Sequence, residues 1–236
     1  MKKAILLFFS LFFAFSFSQE RTIEIDYTVD YIVPNRKKQT TDTISIGFNK
    51  SGKYLWTNDK ILSDKISSNS LFGKYLSDSD SGINLIYSPD EDRMILAATI
   101  GSSKFYADLD MNMIFPFGPE DGFNEEVAMI TDKSEKQETV LGKDCNVFNL
   151  FPDNEPDQGI KVLIDESTTC NNNNYLSQFV TLMLKLTYSE GSITIDVPNG
   201  LILKVLDEND NTLIEAIKVD TSKKTLVINH SIQTKE

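Results

Sequence analysis

The sequence predicts a mainly β protein: an antiparallel curved sheet or half-barrel of about ten strands, with one or two helices against the concave face. Three observations predict it. Apolar and polar residues alternate with a period of two in segment after segment, the segments are short, and most turns between them run to about three to six residues. Parallel neighbours need crossovers of about a dozen residues, so turns this short require antiparallel pairing. No repeat of fixed period is present, and no stretch rich in Pro, Gly or Ser is long enough to separate two cores.

In chain order, Ile23, Ile25, Tyr27 and Val29 alternate with Glu24, Asp26 and Thr28, which reads as one half-buried strand from Thr22. After the polar turn NRKKQTTD, Ile44, Ile46 and Phe48 alternate again, NKSG follows, and KYLW answers as the second arm of a hairpin, with Gly52 supplying the turn geometry. A second meander runs through Ile83 to Tyr87, Arg93 to Ile100 and Lys104 to Asp108, joined by SPDED and GSS. Further strands are expected over Thr139 to Phe151, Ile160 to Asp165, Ser192 to Val197, Leu201 to Leu206, Thr212 to Asp220 and Lys224 to Ile232.

Two stretches depart from this rhythm. Asn58 to Leu76 scatters apolar residues among serines and aspartates and reads as a short helix or an irregular excursion. After Asn171 to Asn174, whose side chains can cap a helix start, Leu176, Phe179, Val180, Met183 and Leu184 recur at three- and four-residue steps. That spacing predicts one amphipathic helix.

The chain opens with Lys2 and Lys3, an apolar run from Ala4 to Phe17, and Ser16 and Ser18 ahead of Gln19. This is the pattern of an export signal cut after Ser18, and the run is short for a membrane span. Residues 1–18 are therefore expected to be removed, leaving residues 19–236 as one β-rich domain, exported to the periplasm or beyond the cell and not membrane-spanning. Removal of Lys2 and Lys3 leaves 21 basic against 35 acidic residues, a net charge of −14. Nucleic acid is excluded as a partner, since phosphate neutralisation needs clustered Lys and Arg.

The only cysteines are Cys145 and Cys170. An oxidising compartment permits a bridge between them, closing a loop of about 25 residues; the alternative is two separate buried thiols. Catalytic and metal signatures are lacking. There is no Gly-x-Ser-x-Gly elbow, no Cys-x-x-Cys, and a single histidine, His230, six residues from the end. Runs of alternating Asp and Asn such as Asp207 to Asn211 lack the Gly and Glu of a calcium loop, and read as turns in which the side chains bond their own backbone. No catalytic residue, metal or cofactor is expected.

One segment is unlike ordinary surface. From Asp110, DMNMIFPFGPEDGFNEE carries Met111, Met113, Phe115, Phe117 and Phe123 among prolines and glycines that deny it a regular element. Its apolar side chains either cover the core or stand over an opening as a lid or partner contact.

Three pieces stand in a telling order: TVLGKDCNVFNL (Thr139 to Leu150), IKVLIDE (Ile160 to Glu166) and VPNGLILKVLDENDNTLIEAIKV (Val197 to Val219). Together they resemble the exported proteins of the GLPGLI type and their relatives, with a Gly-x-x-Cys strand, a hydrophobic partner strand, a helix and a Pro-Gly-hydrophobic strand. Gly142 and Cys145 match the first element; Pro198, Gly200, Leu201, Ile202 and Leu203 match the last, with Asn199 inserted between proline and glycine. The resemblance spans about the last hundred residues, and it implies a fold similar to that of the periplasmic lipoprotein carriers, an open antiparallel half-barrel wrapped around helices.

Strict alternation places Leu201, Leu203 and Val205 on one face of their strand, expected to be concave and to pack on the helix or border an apolar cavity. The expected function is a non-catalytic envelope module holding a lipid or other apolar small molecule against Leu201, Leu203, Val205, Phe179 and Met183, with Phe115 and Phe117 in the lid. The alternative is a structural or assembly protein that meets an envelope protein partner through its acidic face and Phe-rich segment, with no ligand.

Overall fold

The computed structural model describes residues 20–35, 39–59, 83–91, 93–100, 103–110, 126–157, 159–175 and 192–229. Fourteen strands run through the described residues: β1 (Glu20–Ile25), β2 (Tyr27–Asn35), β3 (Thr40–Phe48), β4 (Leu55–Thr57), β5 (Asn84–Ser88), β6 (Arg93–Ile100), β7 (Ser103–Asp110), β8 (Glu126–Val140), β9 (Lys143–Pro152), β10 (Ile160–Asp165), β11 (Ser192–Ile195), β12 (Leu201–Leu206), β13 (Thr212–Asp220) and β14 (Lys224–Asn229). Twelve of them form one open sheet in the order β11-β8-β9-β10-β12-β13-β2-β3-β4-β5-β6-β7, while β1 and β14 pair as a separate ribbon. Every pair is antiparallel except the edge pair β11–β8, which is parallel and joins segments far apart in the chain.

An open sheet this wide curls, because strand twist accumulates from neighbour to neighbour. Bulges bend it further: the register slips between Leu163 and Ile164 in β10, between Val205 and Leu206 in β12, between Ala216 and Lys218 in β13, and between Lys133 and Gln137 in β8. The result is the curved, mainly β sheet that alternation and turn length predict.

Four differences from the sequence reading have physical causes. The run from Thr22 is two strands, broken at Asp26, where the chain leaves the ribbon and enters the large sheet. There the buried Asp26 accepts hydrogen bonds from the Lys50 amide (2.9 Å) and Asn49 Nδ2 (3.3 Å). Secondly, Thr139 and Val140 end β8 and do not begin the following strand. The turn at Leu141 and Gly142 has positive φ at both residues (53° and 73°), the two-residue hairpin geometry that glycine accommodates, and Val140 pairs with Lys143 across it. Thirdly, β8 itself has no counterpart in the alternation, because residues 135–139 are exposed and the strand is held by its ladder to β9. Lastly, Cys145 and Cys170 are both free, which corrects the expected bridge. Each thiol is buried in its own setting, Cys145 on β9 inside the sheet's core and Cys170 in the loop after β10, so they are the two small hydrophobic residues of the alternative reading.

The sheet has two apolar faces. On the first, Val29, Tyr31, Ile44, Val140, Cys145, Val147, Leu163, Leu201, Leu203, Leu206 and Ala216 form one cluster, all from the sheet itself. It is continued on the same side by Leu85, Tyr87, Met94 and Leu96, since Phe48 of the first group pairs with Leu55 of the second. On the second face, the β1–β14 ribbon lays Ile23, Ile25 and Ile228 on Trp56, Ile86 and Ile95. Arg21 pins the ribbon by bonding Glu91 (2.7 and 2.8 Å) and stacking over Tyr54 (5.4 Å), and Lys224 lies 4.8 Å over Trp56. Further along the second face, Ile195 and Val197 cover Phe148, Leu150, Val162 and Ile164.

The segment from Asp110 to Glu125, the stretch 60–82 and the helix over Leu176 to Leu184 lie outside the described residues, apart from Asp110 itself. Just ahead of it, residues 172–175 are helical, and Asn171 Oδ1 accepts the Asn174 amide at 3.4 Å, in the manner of a cap.

Candidate functional site

Strand β12 draws the site together. Opposite Leu163 stands Lys204, but opposite Ile164 stands Ile202, so Leu203 is an extra residue and Leu203 and Lys204 share a face. Beyond the bulge the alternation is inverted: Leu206 joins Leu201 and Leu203 in the first-face cluster, while Val205 packs with Ile202 against Val162 and Ile164 on the second. This corrects the sequence reading that Val205 shares a face with Leu201 and Leu203. Leu201 and Leu203 themselves have no exposure and are core residues in this state. Phe179, Met183, Phe115 and Phe117 lie outside the described residues.

The ladder between β12 and β13 begins only at Lys204, leaving the Ile202 carbonyl unpaired on that side. Tyr31 of β2 supplies the missing donor. Its ring crosses the small Ala216, its partner on β13, and its hydroxyl donates to Ile202 O at 2.7 Å. Burial, reinforced by the nearby Cys170, pushes the Tyr31 hydroxyl above the usual phenol range, so it stays a donor.

Along five neighbouring strands, β8, β9, β10, β12 and β13, the first face carries polar side chains to one side of its apolar centre, with Leu206 an apolar exception past Lys204. Cys145 and Val147 give way to Asn149 on β9, Leu163 to Lys161 on β10, Leu201 and Leu203 to Lys204 on β12, Ile214 to Thr212 on β13, and Val140 to Glu138 and Lys136 on β8. At the polar end these residues enclose a groove of ≈ 450 Å³, floored by Val147 and Leu206. A smaller hollow of ≈ 300 Å³ adjoins it through the shared Asn149 and Lys161, and adds Phe151, Pro156 and Ile160. Lys161 bonds Asp210, and Lys204 bonds Glu215 at 3.1 Å. The turn carrying Asp210 is fastened by Asp207, whose carboxylate accepts the Asn209 and Asn211 amides (3.0 and 2.8 Å), the self-bonded turn expected of that run.

The opposite end of the same face is closed by side chains that alternation does not reveal. Asp165, 1% exposed, accepts from Lys143, Thr168 Oγ1 (2.6 Å) and the Ser167 amide (3.0 Å). Burial alone would raise its carboxyl; the bonds from Lys143, Ser167 and Thr168 outweigh that and hold it at about 2. Beside it, the asparagine run binds three segments together. Asn172 donates to Pro198 O (2.7 Å), Asn173 accepts the Val197 amide (2.6 Å), and Asn174 donates to Gly52 O (2.9 Å) and Asp90 (2.8 Å). Tyr175 then accepts the Asn49 amide (2.8 Å) and donates to Tyr54 O (2.9 Å). Cys170 is pushed up to about 12 by burial and by Asp26, which leaves it an inert thiol.

Lys204 in LILKVL is the lone charge and Lys161 in IKVLID the lone cation of largely apolar strands, and that is the sequence signal for the groove. Lys136 gave none, since its strand was not recognised. Among the described residues, no group of three His, Cys, Asp or Glu side chains could hold a metal ion. No helix among them is long and apolar enough to cross a membrane.

Fold and groove define the class: an open, curved antiparallel sheet with one amphipathic face. No family model matches the chain, and no curated protein matches it. Two solved structures of PNGF-II, in C2 and P21 space groups, are similar over 82% and 85% of this chain, at 12% identity and TM-scores of 0.36 and 0.37. The chain spans 27% and 28% of the length of those structures, and a likeness of that size carries no argument about chemistry.

Proposed function

We propose that this chain is an exported, non-catalytic protein of the cell envelope that holds an amphipathic, lipid-like molecule at the polar end of the sheet's first face. The single observation that carries the reading is the groove itself, in which polar side chains from five adjacent strands surround the apolar Val147 and Leu206 next to the first-face cluster. A volume of ≈ 450 Å³ lies in the ordinary range for small-molecule sites, about 300–1,000 Å³. Export is supported by the leader-like first 18 residues and by the resemblance to envelope proteins of the GLPGLI type. A binding role is also supported by the chemistry of the lining, in which lysines engaged in ion pairs, an amide and hydroxyls can hold and orient a polar group.

Native mass spectrometry of protein purified without detergent, paired with titration of a fluorescent fatty acid, tests the proposal. Saturable one-to-one uptake, reversed by unlabelled fatty acid, is the expected result. A clean apo mass with no uptake would overturn it.

A further inference from the structure

Resting on that reading, we infer that the head group the groove receives is an anion, a carboxylate or phosphate, gripped by Lys136, Lys161 and Lys204. Three strands, β8, β10 and β12, each contribute one lysine to the lining of the same ≈ 450 Å³ space. Glu138 and Asp210 line it too, so the lining carries +1, in a mature chain that carries −14.

Position makes these lysines more than surface charge. Lys161 and Lys204 occupy first-face positions beside apolar residues of their own strands, two residues from Leu163 and directly after Leu203, where their side chains are 34% and 20% exposed. A half-buried cation gains from an anionic partner held close to it, through charge-assisted hydrogen bonds. For Lys161 the present partner is Asp210, on a turn residue with positive φ (62°) and a side chain 67% exposed. Such a carboxylate is a weakly held counter-ion, since it loses little by returning to water. A ligand carboxylate or phosphate takes its place on Lys161, shares Lys204 with Glu215 and meets Lys136 from the β8 bulge. Its chain then lies on Val147 and Leu206.

Calorimetry with the full mature chain tests this, using hexadecanoate, hexadecanol and hexadecyl phosphate as ligands. The two anions are expected to bind about tenfold more tightly than the alcohol, as charge-assisted hydrogen bonds do relative to neutral ones. Lys161→Met with Lys204→Met should abolish that preference while hexadecanol still binds. Asp210→Asn, which removes the competing carboxylate, should tighten hexadecanoate binding by about threefold, an effect in the opposite direction from general damage. Equal affinity for acid and alcohol would overturn the anion site and leave the binding-module reading intact; no binding of any of the three would overturn both. Displacement of hexadecyl phosphate by an equal concentration of inorganic phosphate would overturn the lipid head group and assign the lysines to a free anion.

Discussion

At the scale of residues, Asp165 shows how a charge becomes part of a core. Its carboxyl is held at about 2, below its ordinary 3.8, by Lys143, Ser167 and Thr168 acting against burial. A depressed carboxyl stabilises the fold above its unfolded value, and that contribution disappears as pH falls from about 4 towards 2. The shift corresponds to about 2 kcal/mol. Urea denaturation across that interval should therefore show a loss of this size in the wild type. Asp165→Asn should be less stable at pH 7 and should lose correspondingly less on acidification; an unchanged acid slope in the variant would count against the assignment. Little of this network was legible in the sequence, because Asp165 reads as a strand end and the asparagine run as a helix cap until the fold brings Lys143, Pro198 and Gly52 to them.

Elements were more legible than their joints. Alternation located most strands, and the hairpin with Gly52 at its turn formed as expected, with Gly47 facing Trp56 and Phe48 facing Leu55. What alternation could not carry was a change of sheet or a bulge. The single run from Thr22 is divided at Asp26, and an extra residue at Leu203 sends Val205 to the face opposite the one its spacing implies. Strand β8 escaped notice for the complementary reason, being specified by a turn and a ladder and exposed over 135–139. Joints also hold the tightest packing. A Cβ on Gly200, whose φ is +152°, would stand 2.5 Å from Ile164 Cγ2 and 2.8 Å from Asp165 O. Gly200→Ala should cost about 1–3 kcal/mol by overpacking, measured by urea denaturation. Gly142→Ala, where nothing lies within 4 Å, should pay only for the strained turn.

For the whole molecule, twelve strands in one open curved sheet create more apolar face than a two-stranded ribbon can cover. Among the described residues, the second face is dressed by the β1–β14 ribbon and by Ile195 and Val197, whereas the first gathers its cluster from the sheet alone and adjoins the lysine groove. The sequence reading reached the face and its apolar half through Leu201 and Leu203, both of which are fully buried. The open space lies further along the same strand, at Lys204 and Leu206, because polarity along a face depends on registers between strands that a single segment does not encode. The most direct test is amide chemical-shift mapping of the isotopically labelled mature chain during titration with hexadecanoate. The account predicts perturbations concentrated at 134–138, Asn149, Lys161, Lys204, Leu206 and Thr212, with Phe148, Val162 and Ile228 unmoved; shifts confined to those second-face residues, or none at saturation, would contradict it.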